Sequence, residues 1–134
     1  HTHKIMRTSL GVGSRLPAYC TALGRVLLAG LGEADLRQRL MESGVQRHTV
    51  HTVTDIDELV VRMGEVRQQG WSLVNQELEE GLISVAAPIL NRSGRVVAAI
   101  NISGQVNRTD VQAMQQRYLP ALLQRARNIS SRMG

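Results

Sequence analysis

The runs Ile83 to Leu90 and Arg95 to Ile102, joined by the turn Asn91-Arg92-Ser93-Gly94, constrain the fold of this 134-residue chain more than any other feature. Two apolar, β-branched stretches of similar length around a polar, glycine-ended turn read as an antiparallel β-hairpin. Alternation along its second strand sets Val96, Ala98, Ile100 and Ile102 on one face and Val97, Ala99, Asn101 and Ser103 on the other. The second face turns polar toward its end. Two readings stay open for it: a solvated strand end, or the hydrogen-bonding wall of a cavity, for which the small residues Ala86, Ala87, Ala98 and Ala99 leave room.

Helical patterns surround the hairpin. Lys4 to Leu10 reads as a strand, followed by a breaker segment through Pro17. A helix is expected from about Ala18 to Ala29, with Leu23, Val26 and Leu27 on one side and Gly30 and Gly32 as its stop. A second opens at Glu33 and Asp35 and closes at Gly44, with Leu36 and Leu40 as its apolar face. Thr54 is expected to cap a third, in which Ile56, Leu59, Val60, Met63 and Val66 keep the helical period and Gly70 ends it. A strand from Trp71 to about Asn75 and an acidic loop, Glu77 to Gly81, lead into the hairpin. Thr109 with Gln112 reads as a capping box for a last, long helix. Its apolar face runs from Val111 through Met114, Tyr118, Leu122, Ala126 and Ile129 to Met133, with a kink expected at Pro120. Helices packed on a largely antiparallel sheet make an α+β fold.

Composition excludes several functional classes. Apolar residues are 43% of the chain, enough for one real core. There is no Phe, so that core is aliphatic. No apolar run reaches the roughly 18 residues that span a bilayer, and no signal-peptide pattern opens the chain. A lone Cys20 forms no internal disulfide, so a reduced, cytoplasmic location without membrane partners is expected. The net charge is +5, yet the arginines are dispersed and Trp71, Tyr19 and Tyr118 make no stacking platform, so a solvated basic surface is expected in place of a nucleic-acid interface.

Chemical motifs are sparse. His1 with His3, and His48 with His51, lack cysteine or carboxylate companions at ligand spacing, so no metal site is expected. Gly11-x-Gly13 lacks the third glycine of a phosphate loop. Cys20 has no histidine near it in sequence, and a small buried thiol is the expected role. Glu77, Glu79 and Glu80 read as a solvated acidic loop. No catalytic residue and no cofactor is expected.

Four segments together carry a family pattern: Gly13-Ser14-Arg15-Leu16-Pro17-Ala18-Tyr19-Cys20-Thr21-Ala22-Leu23-Gly24-Arg25-Val26-Leu27-Leu28-Ala29; Thr52-Val53-Thr54-Asp55 with Leu59; Gly70-Trp71 through Glu77 to Gly81-Leu82-Ile83-Ser84-Val85-Ala86-Ala87-Pro88-Ile89; and Val96 through Asn101-Ile102-Ser103-Gly104. In this order and spacing, over nearly the whole chain, they resemble the effector domain of IclR-type bacterial transcription regulators. The Arg15-Leu16-Pro17-Ala18-Tyr19 core is most similar to the branch that regulates protocatechuate and β-ketoadipate catabolism.

The resemblance implies a GAF- or profilin-like fold and a non-enzymatic module, residues 1–134, that binds a small organic acid. It also implies a homodimer or homotetramer, and an N-terminal winged helix-turn-helix, outside this chain, that alone contacts operator DNA. Carried over position by position, the family's effector contacts fall on Ala22, Leu23, Asn75, Ser84, Asn101 and Ser103. Many members have Cys at Ser84 and Ser at Asn101, and some have an acidic contact near Asn75. Arg15, just before the first helix, suits either a bidentate carboxylate clamp or an exposed position.

Overall fold

The computed structural model describes the backbone of residues 4–8 and residues 17–133. Strand β1 (Lys4–Thr8) leads to a short 3-10 turn at Ala18–Cys20, then to helices α1 (Ala22–Ala29), α2 (Glu33–Glu42) and α3 (Ile56–Gln69). Strands β2 (Ser72–Asn75), β3 (Leu82–Leu90) and β4 (Val96–Gln105) follow. The chain ends in α4 (Val111–Ala113), a π-helical segment (Met114–Tyr118) and α5 (Leu119–Ser130). The four strands form one antiparallel sheet in the order β1-β4-β3-β2.

Helices cover both faces of the sheet. On one, α5 lies against β3 and β4, and Leu119, Leu122 and Ala126 pack with Ile83, Val85, Ile100 and Ile102. On the other, α1 lies across β2, β3 and β4, with α3 outside it and α2 against α3. A second apolar cluster joins α1 to Leu59 and Met63 of α3 and to Ala86 and Ala99 of the sheet. The expected α+β layering is what forms, and the hairpin is the centre of it.

Five local expectations change. The helix read from Ala18 to Ala29 is two elements, because Thr21 is extended (φ −121°, ψ 146°) and its hydroxyl accepts the Gly24 N–H at 3.0 Å as the cap of α1. Nor is α1 apolar on one side alone. All eight of its residues are buried, Arg25 included, because sheet and α3 enclose it. The cap of α3 is Asp55, not Thr54; its carboxylate accepts the Asp57 N–H at 2.9 Å. Asp110 likewise replaces Thr109 as cap of α4, accepting from the Ala113 N–H at 2.8 Å.

The last change is a bulge. Ile89 pairs with Ala98 but Leu90 pairs with Val96, so Val97 is an extra residue. One inserted residue reverses the faces on either side of it. Val96 therefore packs on the α1 side, while Val97 and Ala98 pack on the α5 side. The disruption expected at Pro120 takes the form of the π-helical segment just before it, where the Leu119 N–H reaches back to the Met114 carbonyl. A proline has no N–H and its ring crowds the carbonyl four residues earlier; the wider turn relieves both.

Candidate functional site

Sheet register decides which polar residues meet. Ser84 stands directly opposite Ser103, and Ala86 opposite Asn101. Period-two alternation puts Ser84, Asn101 and Ser103 on the face that carries Ala86 and Ala99, the face beneath α1. There the three form a chain. The Ser84 and Ser103 hydroxyls lie 2.9 Å apart, and Asn101 Nδ2 donates to Ser103 Oγ at 3.1 Å. Asn101 is 6% exposed, and its Oδ1 is buried with no hydrogen-bond partner among the described residues. A buried acceptor left in this state costs free energy until something donates to it. Of the two readings open from sequence, this burial speaks against a solvated strand end.

Ala22 and Leu23 occupy the first turn of α1, on the same side of the sheet as that wall. Thr21 caps the Gly24 N–H, and the Arg25 N–H begins the regular ladder by bonding Thr21 O at 2.9 Å. The Ala22 and Leu23 amides thus have no hydrogen-bond partner among the described residues, at a helix start where the dipole favours negative charge. Asn75 is not brought to this group. Val74 pairs with Ser84 and shares its face, so the next residue of β2 points to the opposite side, with its own partner Ile83. Arg15 lies outside the described residues, as do the Gly11-x-Gly13 segment and the His1–His3 pair.

Beside the wall is a buried ionic network that sequence reasoning missed. Arg25 and Glu77 are 4% and 9% exposed and pair at 2.5 Å. Arg25 Nε also donates to the Tyr19 carbonyl at 2.7 Å, tying the 3-10 turn to α1. Glu77 Oε1 accepts the Val53 N–H at 3.1 Å, and Thr52 Oγ1 donates to the Glu77 carbonyl at 2.6 Å. Glu77 is therefore no part of a solvated acidic loop. A buried charge persists only when paired and hydrogen-bonded, and here every contact meets that condition. The signal was a single arginine inside the apolar run Ala22–Ala29, which calls for a partner.

Cys20 is fully buried, and burial pushes its thiol up from 9.0 to about 11 against the opposing pull of Arg25. A thiol so protonated is a poor nucleophile. Among the described residues no three His, Cys, Asp or Glu side chains gather as a metal site, and no helix is long and apolar enough to cross a membrane.

Comparison with known proteins accords with this geometry. Residues 1–131 match the family model of the bacterial transcriptional regulator IclR C-terminal domain. The chain is 43% identical over 126 residues to the Pca regulon regulatory protein of Pseudomonas putida, covering 94% of this chain and 43% of that protein. It therefore spans less than half of that relative's length. The crystal structure of the C-terminal domain of Escherichia coli KdgR superposes with a TM-score of 0.88 at 33% identity, covering 99% of this chain and 88% of that one. A double mutant of the PobR transcription factor inducer-binding domain from Acinetobacter, in complex with 3-hydroxybenzoic acid, gives 0.83 at 34% identity, covering 90% and 69%. The α+β architecture is thus the GAF-like fold of these domains. The relatives are transcriptional regulators, so this is a regulator's module and not an enzyme, and the chain belongs to the IclR C-terminal family of bacterial transcriptional regulators.

Proposed function

We propose that this domain senses a small organic acid, held between the first turn of α1 and the wall formed by Ser84, Asn101 and Ser103, and thereby controls catabolic genes. The observation that carries the reading is the orphaned Asn101 Oδ1, set in a buried polar chain among alanines. The Ala22 and Leu23 amides suit the carboxylate, and Ala86 and Ala99, small and apolar, share the face on which a ring or methylene chain would lie. The aromatic acid in the PobR complex and the Pca regulators among the relatives support aromatic acids, or the dicarboxylic acids of their breakdown, as the class. Arg15 is the further candidate for a carboxylate clamp; Asn75, on the opposite face, leaves the set. Operator DNA is bound, on this reading, by a winged helix-turn-helix outside this chain, in a cytoplasmic homodimer or homotetramer.

Calorimetric titration with protocatechuate, 3-hydroxybenzoate and β-ketoadipate tests the site. Asn101→Leu, which keeps the side chain's heavy-atom count and branching, and Ser84→Ala each remove wall polarity. At least one acid is expected to bind the parent, and each variant to bind it about tenfold more weakly, the worth of a hydrogen bond to a charged or buried partner. Unchanged affinity in both variants places the pocket elsewhere. Binding of none of the acids overturns the proposed ligand class.

A further inference from the structure

A groove of about 680 Å³ runs along the outer edge of β2 and is lined by both members of the Arg25–Glu77 pair. Its wall is α3, and its lining includes Ser72, Trp71, Arg25 and Glu77. The volume falls within the range of small-molecule sites. We propose that it is a second ligand site, distinct from the effector wall, for a neutral molecule bearing adjacent hydroxyls, such as a sugar or polyol.

Three observations point to that chemistry. Ser72 is 1% exposed, and its hydroxyl has no hydrogen-bond partner among the described residues. A hydroxyl is both donor and acceptor, so its natural complement is another hydroxyl. Second, the buried ion pair keeps unused capacity. Glu77 receives its bonds on Oε1, and Arg25 spends Nε on Tyr19 and Nη2 on Glu77. Glu77 Oε2 and Arg25 Nη1 take no hydrogen bond among the described residues, and because both residues line the groove they offer it an acceptor and a donor.

Third, β2 is an edge strand, and the Gln76 N–H donates to Leu82 O at 2.8 Å. Antiparallel alternation then turns Val74 and Ser72 toward β3 and leaves the N–H and C=O groups of Leu73 and Asn75 pointing out at the groove. Donors and acceptors thus alternate along it. The charges cancel, Arg25 and Arg62 against Glu65 and Glu77, so the groove holds no surplus that favours an anion. That separates it from the effector wall, where the helix start favours one.

Trp71 is the chain's only tryptophan and lines the groove, so its fluorescence reports on occupancy. The test titrates the 134-residue chain with D-glucose and with D-glucuronate, which differs by one carboxylate, and checks each by calorimetry. Saturable binding of D-glucose is expected, tighter than that of D-glucuronate. Ser72→Ala should weaken it by about fivefold, the loss of one hydrogen bond. The same substitution should leave stability equal or higher, since it deletes an unsatisfied buried hydroxyl. Asn101→Leu should leave glucose binding unchanged. The proposal is overturned if D-glucose gives no saturable signal, if D-glucuronate binds more tightly, if Ser72→Ala binds like the parent, or if Asn101→Leu abolishes the signal. The last outcome would assign the sugar to the effector wall, and none of them bears on whether that wall takes an acid.

Discussion

Replacing Gly24 by alanine should destabilise the domain, although alanine is the better helix former. An ideally placed Cβ on Gly24 would sit 2.3 Å from Ala18 Cα, 2.5 Å from Ala18 O and 2.6 Å from Thr21 Oγ1. Two of those atoms are backbone, and the third is the hydroxyl that caps α1, so nothing nearby yields cheaply. Overpacking of this kind costs about 1–3 kcal/mol, and disturbing the Thr21 cap adds about 1 kcal/mol. Helix propensity returns at most about 1 kcal/mol. The net expectation is a loss of about 1–3 kcal/mol. Gly64, exposed in the middle of α3, is the internal control, because its Cβ would meet no atom within 4 Å. There the same substitution should stabilise by about 0.8–1 kcal/mol. Urea unfolding of parent and both variants, with a common m-value, should move the two midpoints in opposite directions. A Gly24→Ala domain as stable as the parent would refute the close approach of α1 to the 3-10 turn.

Glu77→Gln should cost about 3–5 kcal/mol in the same assay, because it leaves the Arg25 guanidinium buried without a counter-charge. Arg25→Met together with Glu77→Gln should lose clearly less than the sum of the two single variants; simple additivity would show the pair to be uncoupled. Cys20 supplies a pH test. Its folded thiol titrates at about 11 against an ordinary 9.0, so its contribution is complete below pH 9 and is lost as pH climbs toward 11. Cys20→Ala should flatten that part of the stability profile, and an identical slope in parent and variant would show that the thiol is not held in its neutral form.

Much of this fold is a local matter and was legible. The Asn91–Gly94 turn sits where its residue chemistry demands, and Gly70, at φ 84°, ends α3 as a left-handed cap. The caps drifted by one residue, Asp55 for Thr54 and Asp110 for Thr109, because adjacent polar residues are equally able to cap and only the chain's entry angle chooses between them. The polar end of β4 also announced itself, since period-two alternation is enough to put Asn101 and Ser103 on one face.

What brought those residues together was not local. Ser84 meets Ser103 only through the register of β3 on β4, and Asn75 faces away only because Val74 is the residue that pairs with Ser84. The bulge that turns Val96 toward α1 leaves no mark in a one-dimensional pattern, since both faces there are apolar. Glu77 looked solvated in its acidic loop; its burial depends on Arg25, 52 residues earlier, and on the hydroxyl of Thr52. The amino-acid sequence determined where elements start, stop and present apolar faces, because propensity, capping and periodicity act within a turn or two of the chain. Tertiary packing alone decided which polar groups are buried together, because desolvation and pairing depend on neighbours that the fold, and not the chain order, supplies.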